Sequence, residues 1–365
     1  MKKIGILLAL FFALFPLSIS AADLSQIQEE LTVVDRAADE MEAEMGFSDL
    51  LQEILTGAFD FTFSDWKEKA EELALGEFRL QEKLLMQLVI VVILSAILKQ
   101  FSESFQGKQV GEMAFYLCYM VLVVVILDAF RVISAVVVER MNGICGVFGA
   151  MLPIFLLLSA AKGNLMEGAL MGPTIMGGSA ALTVAVTKII VPAILLAVSL
   201  ELADHVSEKP ILGKFAELLR QCISWGMKGA AMVFMFLLSL QKIGGDAIGG
   251  LAVRTAKSTI RSVPVVGDIM GGAVETAAAA AGALRSGTLV AAAVFLLLLC
   301  IPLVIKLLVI MLVFRLTAAA AEFICEERLV ECISAAGEYT GLLLGVVFLG
   351  EGMFLFSALL LLGGL

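Results

Sequence analysis

The chain has 365 residues, of which 60% are hydrophobic and only 16% charged. Soluble domains carry nearer a quarter charged residues, so something other than water solvates much of this chain, and a wholly soluble enzyme is excluded. The net charge of −10 is unevenly spread: residues 23–82 hold 17 acidic and 4 basic side chains, the remainder 18 and 21, which leaves no nucleic-acid footprint.

The first 22 residues read as a secretory signal peptide. Lys2 and Lys3 precede the apolar run Ile4–Leu17, and the small residues Ser18, Ser20, Ala21 and Ala22 follow, with cleavage expected after Ala22. An uncleaved first membrane helix is the competing reading. The apolar core is short for a span.

Export places residues 23–82, an acidic helical segment, outside the cytoplasm. Leu24, Ile27, Leu31, Val34, Ala38, Met41 and Met45 recur at spacings of three and four, a seam suited to a partner helix. Asp23 with Gln26 can cap its start, Gly46 can end it, and Ser48 can cap the next helix. Asp65 with Glu68 opens a further helix from Trp66 to Leu75, and Phe59, Phe61, Phe63 and Trp66 form an aromatic cluster. The segment either folds back against the membrane or docks on another extracytoplasmic protein. Ala38 and two Met make a weak zipper, which favours the first.

Residues 83–365 read as a multi-span membrane domain, so the fold class is an all-α polytopic membrane protein with about seven transmembrane helices. The expected spans are 84–98, 113–130, 144–161, 174–200, 222–240, 288–314 and 338–365, apolar blocks matched to a hydrocarbon core of about 30 Å. Lys and Arg divide almost evenly between the loops, so orientation rests on the export signal. Asp128, Lys188, Lys228, Lys306 and Glu351 fall inside or near the ends of these spans. Such residues face protein, water or an interface, and mark polar paths or internal ion pairs. Each Lys can also snorkel, whereas Asp128 and Glu351 have short stems and call for buried partners.

Gly163, Gly168, Gly172, Gly177 and Gly178 surround Pro173, and Gly244, Gly245, Gly249 and Gly250 open a second small-residue stretch, so broken helices are expected there. Residues 251–263 carry Arg254, Lys257 and Arg261 on one face and Val253, Ala256, Ile260 and Val263 as apolar surface. That is a basic amphipathic helix able to lie in the inner membrane surface. Pro264 ends it, and Val265, Val266 and Gly267 turn the chain into an Ala-rich helix over 273–284. Six scattered cysteines and one histidine, His205, supply no metal-ligand spacing, so neither a metal nor another cofactor is expected.

The run Ser262-Val263-Pro264-Val265-Val266-Gly267-Asp268, followed by Ala273-Val274-Glu275-Thr276, resembles the stage III sporulation protein AE family. The order of parts agrees too: signal peptide, acidic exported segment, multi-span region and this turn. The resemblance implies a multi-pass subunit of the channel or secretion-like apparatus joining mother cell and forespore in endospore formers. It implies a place in the mother-cell membrane around the forespore, and partners that include ring-forming proteins and an ATPase. It implies no catalytic residues. A stand-alone secondary transporter or permease is the alternative, read from the intramembrane charges and expected breaks. An intramembrane enzyme lacks any Ser/Lys, paired Asp or HExxH arrangement.

Overall fold

The computed structural model describes residues 21–41, 43, 45–56, 63–104, 108–161, 165–206, 212–236 and 266–363. Every regular element among them is helical. In chain order these are α1 (Ala21–Asp39), α2 (Phe47–Thr56), α3 (Phe63–Leu80), α4 (Glu82–Ser104), α5 (Lys108–Ala161), α6 (Leu165–Ala185), a π-helical turn (Val186–Ile190) and α7 (Val191–Val206). Then come α8, helical over 213–236, α9 (Val266–Glu322) and α10 (Glu327–Gly363). The signal peptide through Ser20, the basic helix with Arg254, Lys257 and Arg261, and the turn residues Pro264 and Val265 lie outside the described residues, as does the packing of Val266 and Gly267.

Among the described residues, five helical stretches are long and apolar enough to cross a membrane: 82–101, 115–158, 172–204, 287–322 and 327–359. The two spans expected at 113–130 and 144–161 are a single helix, α5. The charged stretch between them looks like a loop by composition, but its apolar residues keep helical phase. Phe130, Ile133, Val137, Met141, Ile144, Phe148 and Met151 repeat at intervals of three and four, and all are buried. Asp128, Arg131 and Glu139 occupy the opposite, exposed face. Likewise the Ala-rich helix expected at 273–284 and the span at 288–314 are one helix, α9, because Ala favours helix strongly enough to carry it through several glycines. The expected span 222–240 overlaps α8, which is not among the five.

The helix break expected at Pro173 is not there: α6 passes through it. The irregularity sits instead at residues 186–190, where the Val191 N–H reaches back five residues to the Val186 carbonyl. Pro192 explains the placement. It has no N–H to offer residue 188, and its ring would strike that carbonyl, so the turn ahead of it widens.

α9 and α10 form an antiparallel pair through the short connection at 323–326, and α5 packs against both. Phe130 stacks on Phe314 of α9, and Phe148 meets Phe354 of α10 with ring centroids 5.2 Å apart. α4 lies along α5, with Ile90, Ile93, Ile97 and Phe101 exposed as a lipid-facing side requires.

The acidic helices fold onto this bundle. α1 packs on α5, while α2 and α3 pack on α9. The seam residues Val34, Ala38 and Met41, with Phe47, Leu50 and Leu51, are buried in the same core as the membrane helices. Arg140 of α5 donates to the Met41 carbonyl (2.5 Å), just past the end of α1, where orphan acceptors favour a cation. Ser48 does not cap α2 as its sequence position suggests. Its N–H and hydroxyl both donate to the Asp35 carboxylate of α1, at 3.1 and 2.5 Å, so the cap comes from the neighbouring helix. α3 runs longer than the expected 66–75, and backbone bonds from Gln81 to Glu77 and from Leu85 to Gln81 carry it almost continuously into α4.

Candidate functional site

The five candidate intramembrane residues are not brought together. Asp128, Lys188 and Lys228 are exposed, on α5, the π turn and α8 respectively. Lys306 of α9 is half-buried, with its Nζ 3.9 Å from Glu77 Oε2 of α3, so this charge is matched by the acidic segment. Glu351 of α10 is buried, and among the described residues neither carboxyl oxygen accepts a hydrogen bond. Asp128 therefore does not have the buried setting its short stem suggested; Glu351 does.

A polar junction assembles elsewhere, from α7, α8 and α10. The Tyr339 hydroxyl of α10 donates to Glu201 Oε2 of α7 at 2.5 Å. The Arg220 guanidinium of α8 pairs with Glu338 Oε2 at 2.5 Å and lies over the Tyr339 ring, 5.6 Å from its centroid. The Arg220–Glu338 pair is largely exposed and contributes little alone. The buried tyrosine hydroxyl on a carboxylate is the stronger tie. On the same helix as Glu201, Asp204 accepts the Leu212 N–H (2.7 Å) ahead of α8, where a carboxylate suits the exposed donors of a helix start. Tyr119 of α5 donates to the Leu202 carbonyl at 2.8 Å. Two tyrosines and two acids thus tie α5, α8 and α10 to the last two turns of α7.

None of these residues was singled out by sequence reasoning. The available clue was scarcity: the chain has three tyrosines, Tyr116, Tyr119 and Tyr339, all within apolar helices, where a buried hydroxyl needs a partner. Tyr339→Phe removes that hydroxyl and leaves Glu201 without its short bond. The expected result is a loss of about 2 kcal/mol in stability, read as a lower unfolding midpoint in detergent. The double variant Tyr339→Phe/Glu201→Gln should cost little more than either single change.

A second tie closes the α9–α10 connection. The Lys99 Nζ of α4 donates to the Cys325 carbonyl (3.3 Å), and the Cys325 thiol donates to the Val92 carbonyl (3.4 Å). Burial pushes the Cys325 thiol up, with Lys99 opposing, which keeps it an unreactive donor.

Long apolar helices, polar ties concentrated where helices meet, and an amphipathic acidic arm fastened to the bundle define a multi-pass α-helical membrane protein. The particular lineage follows from comparison: the chain belongs to the stage III sporulation protein AE family, which matches residues 45–364. The curated stage III sporulation protein AE of Bacillus subtilis (strain 168) is 24% identical over 285 residues, covering 78% of this chain and 71% of that relative. No solved structure matches.

Proposed function

We propose that this chain is a membrane component of the sporulation-specific, secretion-like channel complex joining mother cell and forespore, needed for late forespore development. In this reading residues 1–22 direct export, the chain resides in the mother-cell membrane around the forespore, and it catalyses no reaction itself. Its partners are ring-forming proteins and an ATPase of the same complex. The family match over 45–364 carries the reading.

The arrangement of the acidic arm supports a subunit role. The middle of its apolar seam, Val34, Ala38 and Met41, is buried in the bundle, so partners meet its outer face, where Glu29, Asp39, Glu40, Asp49 and Glu72 are exposed. That replaces a zipper-like docking mode with a polar one.

Chemical cross-linking in sporulating cells, followed by mass spectrometry, tests this. Lys69 of the arm, and Lys83 at the start of α4, should join to exported domains of the other sporulation subunits. The alternative, a stand-alone transporter, draws on the π-helical turn at Lys188. Solute movement by the purified chain alone in proteoliposomes, with no cross-links to sporulation subunits in cells, would overturn the channel-subunit reading.

A further inference from the structure

Glu351 is 4% exposed, on a helix whose neighbouring turns, at Val347 and Phe354, are fully buried. It lies where α10 meets two other helices, beside the Cys300 thiol of α9 and next to Gly350, which is packed against Met141 of α5. Neither carboxyl oxygen accepts a hydrogen bond among the described residues.

Among the described side chains, the ionisable groups on the elements around it are directed elsewhere. On α9, Lys306 pairs with Glu77, and Arg315 and Glu322 are exposed. On α5, Asp128, Arg131 and Glu139 are exposed and Arg140 holds the Met41 carbonyl. Lys188 in the π turn is exposed, and residues 172–185 of α6 carry no charge. On α7, Glu201 takes the Tyr339 hydroxyl and Asp204 the Leu212 N–H. Among the described residues that titrate, the Cys300 thiol is the one that reaches Glu351.

We propose that Glu351, with Cys300, forms a proton-binding site inside the helix bundle. A bare carboxylate in this setting has neither a cation nor a hydrogen-bond donor of ordinary strength to replace its water. The neutral acid removes the charge, and its O–H can point at the thiol sulfur, a weak acceptor. The step is a simple protonation: one proton from water joins one carboxylate oxygen, and the same proton returns to water on release. Occupancy of the site then sets whether α10 presents a neutral or a charged side chain to α5 and α9. The inference is independent of the channel reading, since it concerns packing within one chain.

Infrared spectroscopy of the full chain in bilayers of neutral phospholipid tests it. Wild type at neutral pH should show a protonated-carboxyl C=O band that Glu351→Gln abolishes. Cys300→Ala keeps the carboxyl, so its band should persist at a shifted frequency. Exposed carboxylates are ionised at that pH and do not contribute. Should Glu351→Gln fail to fold, dicyclohexylcarbodiimide, which modifies protonated carboxyls in apolar surroundings, should label Glu351 in native wild type. A band unchanged by both variants, or no label on Glu351 in the folded protein, would overturn the assignment.

Discussion

Gly143→Val should lift the acidic arm off the bundle, and adding Met41→Ala should seat it again. A Cβ at position 143 would stand 2.8 Å from Met41 Sδ, 3.0 Å from Cγ and 3.1 Å from Cε. The Met41 side chain is buried, so it has little room to withdraw. Overpacking of this kind costs about 1–3 kcal/mol. The Arg140 bond to the Met41 carbonyl, one turn away, is strained with it and adds to the loss. The expected readout is faster proteolysis in the turn after α1, at residues 40–46, with the membrane helices left intact. Truncating Met41 opens the space that valine needs, so the double variant should be more resistant than Gly143→Val alone. No such rescue would mean that α1 and α5 do not meet at this point.

Phe148→Ala is expected to weaken the bundle itself. The ring is fully buried, 5.2 Å from Phe354 of α10 and 6.4 Å from Phe155 in its own helix. Large-to-small changes at such sites cost about 3–5 kcal/mol in soluble cores. Lipid is as apolar as the ring, so the transfer part shrinks in a membrane while the cavity and lost dispersion remain. A loss of about 3 kcal/mol, at the lower end of that range, should appear as a markedly lower denaturation midpoint in detergent. Val124→Ala, on the exposed side of the same helix, is the control and should change stability by less than about 0.5 kcal/mol. Equal behaviour of the two variants would contradict the packing of α5 on α10.

Membrane residence was legible because apolar length is a direct statement about solvent. Span boundaries were less so. Arg131, Glu139 and Arg140 read as a loop by composition, yet the burial of Ile133, Val137 and Met141 shows that phase, not composition, decides helix continuity. The glycines around Pro173 read as a break, whereas Pro192, one helix later, does the deforming because α7 needs its missing donor. Of the two short-stemmed candidates, Glu351 is buried and Asp128 is exposed, so stem length alone did not separate them. Lys306 found a partner in the arm, a tertiary contact that no local pattern encodes. The junction of Glu201, Arg220, Glu338 and Tyr339 was hidden for the same reason: its members come from three separated helices.

The uninterrupted course of α5 carries a consequence for the molecule's height. Its 54 residues make a rod of about 80 Å at 1.5 Å per residue. Hydrocarbon shields only about 30 Å along the normal, and a steep tilt of about 40° stretches that to some 40 Å of rod. Close to half of α5 therefore stands proud of the lipid, giving this protein a stalk that reaches well beyond the sheet in which it is anchored.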